Sequence, residues 1–345
     1  MKLIDDNTAQ FWFVVLKCGF YEAFSAFGIV TNIISLVVFY RMGFRETVNV
    51  SLFGLTLSDL GSLLVLFWMG ICYNPLFTYS DVEFDTLSIV YLSGGWPKLY
   101  LTRVTSWITA FVAFERCLCV AMPLKVKQAI TPRIAFAVNL SLAIMVGASL
   151  PPVYATTGLD WTWFPARNKT LLGLSFTEDR LEVYDVVVGF NLFFTLGSFL
   201  IVIVCTFVLV AQLKWKTKWR QSATKAQNTN TSSRDQKIST MVTLLSALFV
   251  VCLLPSTAVF LAMILAPEFN KGKGYHNMFT IVWAVCHLFE AANSSLNIFV
   301  YTHMSSKFRR CLYAMFRTRL SVDETLTQSM AVFRSEYQAN SSVQE

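Results

Sequence analysis

Ionisable side chains inside long apolar stretches are the residues of this sequence that could do chemistry. Asp59 is the only Asp, Glu, Lys or Arg between Glu46 and Asp81. A carboxylate in such surroundings is costly unless it faces a protein interior and has a cation, a proton or a hydrogen-bond donor beside it. No phosphate-binding loop, metal-ligand spacing or nucleophile arrangement accompanies it. The pattern therefore favours binding over catalysis, and we do not expect an enzyme.

Lys98, Thr102 and Arg103 form a second group, because intervals of four and five residues place them near one side of a helix. If both cations face the interior, they favour a ligand with an anionic group, such as an amino acid, a carboxylate or a peptide C-terminus. Two alternatives stay open. Lys98 could extend to the edge of the apolar layer, and Arg103 could pair with an internal acid such as Glu290.

Trp283, His287 and Glu290 share one helical face, because the second and third follow the first by four and seven residues. All three are candidates for ligand binding. His287 could equally be a hydrogen-bonded histidine between helices, and Glu290 could join the network around Asp59.

Pro255 lies inside an apolar stretch, where it removes one helix hydrogen bond and bends the helix. Ser256, Thr257 and Phe260 would lie just beyond the bend and face the same interior, which makes them further ligand candidates. The two hydroxyls could instead hydrogen-bond to carbonyls that the proline leaves free.

The elements that must position these side chains are membrane-spanning helices. Hydrophobic residues make up 55% of the 345 residues and charged residues only 14%, which is too apolar for a soluble domain. Seven stretches are long enough to cross a bilayer, at about 17–40, 47–72, 94–120, 131–153, 184–212, 237–266 and 277–301. We therefore predict an all-α membrane protein whose seven-helix transmembrane domain covers 17–304.

The charge distribution predicts the orientation of this bundle. Most of the 28 Lys and Arg residues fall in the loops and tail on one side, which the positive-inside rule makes cytoplasmic. The N-terminal segment 1–16 is then extracellular, and the net charge of +7 gives no separate support for nucleic-acid binding. Asn168, in Asn-Lys-Thr, is the glycosylation sequon well placed on the outer side.

A short amphipathic helix is predicted at 305–317, followed by a tail at 318–345 whose composition predicts disorder. Phe308, Leu312 and Phe316 recur every four residues with cations beside them, so the helix would lie on the inner leaflet. Cys311 on this helix could be palmitoylated, or it could be an unmodified cysteine of the apolar face.

The segment 113–127, AFERCLCVAMPLKVK, resembles the cytoplasmic end of the third helix and the following loop of rhodopsin-like, class A G-protein-coupled receptors. Together with the ITPR that follows, it is most similar to the molluscan chemosensory receptors of that class. NIFVY, from Asn297 to Tyr301, resembles the N-P-x-x-Y motif of the class, with Ile298 in place of proline.

The resemblance implies a coupling set of Glu115, Arg116, Leu124, Asp235, Asn297 and Tyr301. In this set Asp235 would lock Arg116 until a G protein replaces it, and Leu124 would enter an apolar pocket of that G protein. A disulfide usual in the class is expected to be absent, because Tyr91 stands where one cysteine would be and 161–183 contains none.

The resemblance also implies a possible sodium ion, an allosteric modulator held by Asp59, Thr105, Asn293, Ser294 and Asn297. A protonated aspartate in a water network is the alternative, because oxygen ligands alone do not choose the ion. No other cofactor is expected.

The function that the resemblance implies is that of a receptor in the plasma membrane, in contact with lipids, that binds an extracellular small molecule or short peptide within the bundle. The bound receptor would activate a heterotrimeric G protein, and the wording of the motifs suggests a chemosensory role. A neuropeptide receptor of the same class is the alternative. An ion or solute transporter is a third hypothesis, because buried charges can also line an ion path.

Overall fold

The structure is a computed structural model that describes residues 4–222, 230–266, 268–269 and 273–316. Within these residues the chain forms seven long helices, in the order the sequence predicts. They are α1 (Asp6–Met42), α2 (Thr47–Tyr73), α3 (Thr86–Ala121), α4 (Pro132–Ala155), α5 (Arg180–Ser222), α6 (Asn230–Leu265) and α7 (His276–Met304). Turns of π-helix at Val15–Phe20 and Tyr91–Gly95 interrupt α1 and α3, and Pro75–Thr78 and Pro123–Ala129 form short helices between the long ones.

Several helices extend beyond the apolar stretches from which they were predicted. The first begins at Asp6 rather than near residue 17, because the Asp5 carboxylate caps it and accepts a hydrogen bond from the Thr8 N–H at 3.3 Å. At their polar ends, α5 and α6 likewise run past the predicted limits. Hydropathy locates the part of a helix that suits a bilayer, and capping and local propensity decide where the helix ends.

Six of the helices in the described part of the chain are long and apolar enough to span a membrane. The seventh, α7, has 29 residues but is more polar. Its polar side chains include Glu290, Asn293 and Asn297, all of which are buried in the bundle. α7 therefore has the length to span and depends on its neighbours to shield its polar face.

The seven helices close into a ring around α3. Neighbours in sequence pack together from α1 to α3 and from α5 to α7, and α7 packs back against α1. α3 contacts α2, α4, α5 and α6, so it is the central helix. Large apolar side chains point outward around the ring and stay exposed, among them Phe27, Leu64, Phe136, Phe207 and Val251. This outer surface suits hydrocarbon rather than water.

An antiparallel hairpin between α4 and α5 is an element that the all-α prediction missed. Strands β1 (Thr157–Phe164) and β2 (Lys169–Phe176) pair along their whole length. Asn168 ends the turn with a φ of 49°, a left-handed conformation that asparagine tolerates. We call the end of the bundle that carries this hairpin the hairpin end. The opposite end, where the loops are rich in Lys and Arg, is the basic end.

Residues 306–316 form a further helical segment after α7, at the basic end. Phe308 is fully buried against Phe39 and Tyr301, with ring centroids 5.2 and 5.5 Å away. Leu312 is also buried, but Phe316 is 46% exposed. The predicted apolar face is thus used mainly to dock on the bundle, and its contact with the inner leaflet stays a prediction.

Candidate functional site

A buried polar cluster joins α3, α6 and α7 in the hairpin half of the bundle. We define it as Lys98, Thr102, Ser256, His287 and Glu290. The Lys98 ammonium lies 2.9 Å from Glu290 Oε2 and donates to the Thr102 hydroxyl at 3.0 Å. Ser256 donates to Glu290 Oε1 at 2.8 Å, and His287 Nδ1 lies 3.2 Å from Glu290 Oε2. One carboxylate therefore binds side chains from three helices.

The cluster decides between the alternatives that the sequence left open. Lys98 is only 1% exposed, so its proposed extension to the membrane interface is wrong. The internal acid Glu290 pairs with Lys98 and not with Arg103. The helical spacing put both cations near one side of the helix, but it could not tell whether they face the interior or which of them reaches α7.

Arg103 occupies a neighbouring position in the same helix and is also 1% exposed. Its guanidinium carbon lies 5.1 Å from the centre of the Phe260 ring, a cation–π arrangement. Its Nε and Nη2 atoms are buried and have no hydrogen-bond partner among the described residues. Arg103 thus brings a second positive charge into the bundle without an ion-pair partner in that part of the chain.

Aromatic side chains form a wall beside the polar cluster. The Trp283 ring contacts Phe260, Phe279 and His287, with centroids 5.2, 5.7 and 5.7 Å apart. Trp283 and Phe260 therefore lie where they were predicted, next to the charged groups. Thr257 differs, because its hydroxyl donates to the Leu253 carbonyl of its own helix at 2.9 Å. That carbonyl is not the one that Pro255 leaves free.

Asp59 lies in the centre of the bundle and is completely buried. Its Oδ1 accepts hydrogen bonds from Thr105 at 3.0 Å and Ser294 at 2.8 Å, and its Oδ2 accepts one from Asn297 at 2.9 Å. Three of the four predicted partners are thus assembled. Asn293 is the exception, since its buried Oδ1 atom has no hydrogen-bond partner among the described residues. A carboxylate with two hydroxyls and a spare amide oxygen in the same region is a donor set that fits a small hard cation.

The basic end holds the pair of Glu115 and Arg116. Arg116 Nη2 donates to Glu115 Oε1 at 2.5 Å, and the Thr47 hydroxyl donates to the same oxygen. Both members are buried, and the Arg116 Nε has no hydrogen-bond partner in the described part of the chain. The side chains of Asp235 and Leu124 lie outside the described residues, so the roles predicted for them stay predictions.

Residues 20–319 match the model of a family described as serpentine type 7TM GPCR chemoreceptor Srw. The chain belongs to this family. Its resemblance to rhodopsin-like G-protein-coupled receptors is therefore confirmed. The particular likeness to molluscan receptors stays a prediction.

Individual relatives of this Srw chain are more distant. Neuropeptide receptor 22 of Caenorhabditis elegans is 22% identical over 292 residues, which cover 80% of this chain and 63% of the relative. Short-wave-sensitive opsin 1 of Saimiri boliviensis boliviensis is 25% identical over 64% of this chain and 60% of its own length. The ultraviolet-sensitive opsin of Melopsittacus undulatus is 24% identical over 66% of this chain and 62% of its own length. The chain thus matches about three fifths of the length of these relatives.

At its hairpin end this Srw protein has an anchor where the class usually has a disulfide. All eight cysteines are free. Arg180, at the start of α5, donates to the Tyr91 hydroxyl, and its guanidinium stacks on the rings of Tyr91, Phe176 and Tyr184. Because Phe176 ends β2 and Tyr91 belongs to α3, this contact ties the hairpin to the bundle without sulfur.

The tip of the hairpin has a second link to the bundle. Lys169 forms an ion pair with Asp81 in the loop after α2. The ammonium beside it holds the pKa of the exposed Asp81 carboxyl below its ordinary value. The sequon residue Asn168 next to Lys169 is exposed, as a glycosylation site must be.

At the basic end, the Srw fold has an open cleft of about 480 Å³ between α1, α2, α6, α7 and the segment 306–316. Its lining includes Asn49, Lys237, Tyr301, Lys307 and Arg310. The Tyr301 ring lies 5.1 Å from Phe39, and its hydroxyl has no hydrogen-bond partner among the described residues. The predicted coupling residues therefore lie in different places. Asn297 belongs to the Asp59 network, and Tyr301 lines the space at the basic end.

Proposed function

We propose that this protein is a plasma-membrane receptor that binds an extracellular ligand among α3, α6 and α7 and activates a heterotrimeric G protein at its basic end. The observation that carries the proposal lies in α3. Lys98 of this helix belongs to the polar cluster, and Arg116 belongs to the pair at the basic end. At 1.5 Å per residue they are about 27 Å apart along one continuous helix. A shift at one end can therefore reach the other.

The ligand site consists of the polar cluster, Arg103 and the aromatic wall. We assign to it Lys98, Thr102, Arg103, Ser256, Phe260, Trp283, His287 and Glu290, with Thr257 in a supporting position. Charged groups with buried partners can exchange those partners for a ligand, and aromatic rings can cover its apolar part. A ligand that prefers one arrangement of these helices would shift the population of receptor states.

The basic end would face the cytoplasm, with the N-terminus outside the cell. The distribution of Lys and Arg supports this orientation, and the exposed Asn168 at the opposite end would then be available for glycosylation. Arg116 would be released from Glu115 and Asp235 when the G protein binds, Leu124 would contact the G protein, and the cleft beside Tyr301 would be part of the same surface. Cys311 lies near the inner leaflet in this orientation and could carry a palmitoyl group.

A chemosensory role fits the description of the family best. A neuropeptide ligand is the second candidate, because the neuropeptide receptor from Caenorhabditis elegans matches 80% of this chain. A dose response to short amidated peptides, with none to small water-borne acids, would favour it. A transporter would instead show uptake of solute into vesicles, and an enzymatic activity has no support in the residues described.

A sodium ion bound at Asp59 would modulate the switch. Asp59, Thr105 and Ser294 would supply oxygen ligands, Asn297 would hold the carboxylate in place, and Asn293 would offer its free oxygen. When bound, the ion would neutralise a buried charge between the ligand site and the basic end.

The experiment that tests the receptor mechanism measures basal nucleotide exchange across a panel of G proteins at matched surface levels. We expect Asp235→Ala to raise the exchange rate, because it frees Arg116, and Arg116→Ala in the same chain to remove the rise. Arg116→Ala alone should abolish signalling and leave surface expression largely intact.

Arg133→Ala is the matched control, because Arg133 is an exposed arginine at the same end. It should leave exchange unchanged. Exchange that survives Arg116→Ala would contradict the proposed role of this pair.

A further inference from the structure

Of the two buried cations Lys98 and Arg103, only Lys98 forms an ion pair in the described part of the chain. Both oxygens of Glu290 already accept hydrogen bonds, Oε1 from Ser256 and Oε2 from Lys98. Lys98 is thereby neutralised. Arg103 is equally buried, and none of its atoms forms an ion pair within the described part of the chain. Among the described residues, Arg103 is therefore a buried cation with no ion-pair partner of its own.

The two nitrogens of Arg103 that lack hydrogen-bond partners among the described residues have the geometry to bind a carboxylate. Nε and Nη2 are buried and lack hydrogen-bond partners among the described residues. Their N–H bonds lie on the same edge of the planar guanidinium and point in parallel. This is the edge that binds a carboxylate with two parallel N–H···O bonds.

Two aromatic rings lie beside the guanidinium of Arg103. Phe260 covers one face of the guanidinium at 5.1 Å, and Trp283 packs against Phe260. A ligand that bound to the Nε and Nη2 edge would therefore have apolar rings beside its remaining atoms. Leaving buried donors unpaired is unfavourable, so an anion that pairs with them gains more than it would at a solvated arginine.

We propose that the ligand of this receptor carries a carboxylate that Arg103 binds through Nε and Nη2, while Lys98 stays paired with Glu290. This inference rests on the proposed ligand site, and it names the chemical class that the site selects. The carboxylate could belong to a small organic acid or to the C-terminus of a peptide.

The test uses the full chain, purified in lipid nanodiscs without G protein, and measures its thermal midpoint Tm. The probes are acetate, benzoate, 3-phenylpropionate and the tripeptide Gly-Gly-Phe, each compared with its amide at equal millimolar concentration and ionic strength. We expect at least one carboxylate to raise Tm by about 2 °C or more while its amide does not. A response to the tripeptide alone would assign the carboxylate to a peptide, and a response to the acids would assign it to a small molecule.

Two variants of Arg103 test whether the rise in Tm with carboxylate depends on the guanidinium edge. Arg103→Lys keeps the charge but not the parallel N–H bonds, and Arg103→Met removes both. Both should lose the carboxylate response, and Arg103→Met should have a ligand-free Tm at least as high as the wild type, because it removes an unpaired buried charge. Lys125→Met, at an exposed lysine of the basic end, is the control and should keep the response.

Three results would overturn the inference. The first is that no carboxylate exceeds its amide, and the second is that the response survives in both Arg103 variants. The third is a ligand-free Tm of Arg103→Met well below that of the wild type, which would make Arg103 a structural residue solvated inside the bundle. The Tm measurement needs no G protein, so it tests carboxylate binding separately from signalling. A receptor that binds the carboxylate but fails the nucleotide-exchange test would contradict the proposed function and leave this inference standing.

Discussion

Glu290 is the single residue through which α3, α6 and α7 are held together. It accepts hydrogen bonds from Lys98 and Ser256 and lies beside His287, all within 3.2 Å. In a bundle that lacks a strong hydrophobic driving force between helices, such polar contacts contribute to association. They also restrict the three helices to one relative arrangement.

We expect Glu290→Gln to destabilise the protein strongly. The substitution leaves the buried ammonium of Lys98 without a counter-charge, and breaking a buried pair from one side costs about 3–5 kcal/mol. Tm of the purified protein and its surface level should both fall. Glu182→Gln, at an exposed glutamate of α5, is the control.

The companion variant removes both charges. Lys98→Met combined with Glu290→Gln should recover most of the stability lost in the single variant, because no unpaired charge remains. A double variant as unstable as Glu290→Gln would mean that the hydrogen bonds of Glu290 to Ser256 and His287, rather than its charge pair, dominate.

At the scale of the elements, the β1–β2 hairpin is fixed to α3 by an arginine instead of a disulfide. Arg180 stacks on three rings, two of which belong to the hairpin and to α3. Cation–π contacts contribute about 0.5–2 kcal/mol each, less than a disulfide typically does. The hairpin should therefore be held firmly but reversibly.

We expect Arg180→Ala to increase hydrogen exchange in residues 157–176 while the buried parts of α2 and α3 stay protected. Mass spectrometry of the exchanged protein measures both regions in one experiment. Glu178→Ala, an exposed neighbour, should leave exchange unchanged. Equal exchange in the two variants would show that the strand pairing alone holds the hairpin.

A reducing agent provides an independent check on the same element. Because all eight cysteines are free, we expect dithiothreitol to leave both Tm and hairpin exchange of the wild type unchanged. A drop in Tm on reduction would reveal a cross-link that contradicts this description.

The sequence predicted the seven helices and their order because apolar length alone specifies a membrane span. It did not predict the hairpin, although Trp161 and Trp163 alternate in β1 and both strands contain β-forming residues. The search for long apolar stretches passed over this segment. Nor could helical spacing pair Lys98 with Glu290, because it gives the face of a residue but not the partner that another helix brings to the same depth.

At the scale of the whole molecule, three polar layers lie along α3. Lys98 contacts Thr102 and Glu290, Thr105 contacts Asp59, and Arg116 pairs with Glu115. Each layer also involves at least one other helix. The central layer around Asp59 therefore lies between the proposed ligand site and the proposed coupling surface, where an ion could influence both.

We expect sodium to lower basal nucleotide exchange in the wild type and to have no effect in Asp59→Asn, which removes the charged ligand. The measurement compares sodium chloride with choline chloride at equal ionic strength. Asp160→Asn, at an exposed aspartate of β1, is the control. Identical exchange in the two salts for the wild type would contradict sodium binding at this site.

The polarity of α7 has a consequence for how the protein is made. Helices enter the bilayer as the chain is synthesised, and α7 is the last of the seven to emerge. A lone charge such as that of Glu290 opposes insertion by about 2.5–3.5 kcal/mol near the centre of a helix. Lys98 of α3 is already in the membrane by then and can form an ion pair with Glu290. The Lys98–Glu290 pair of the proposed ligand site would thus also assist membrane insertion, because α7 would insert favourably only after α3 is in place.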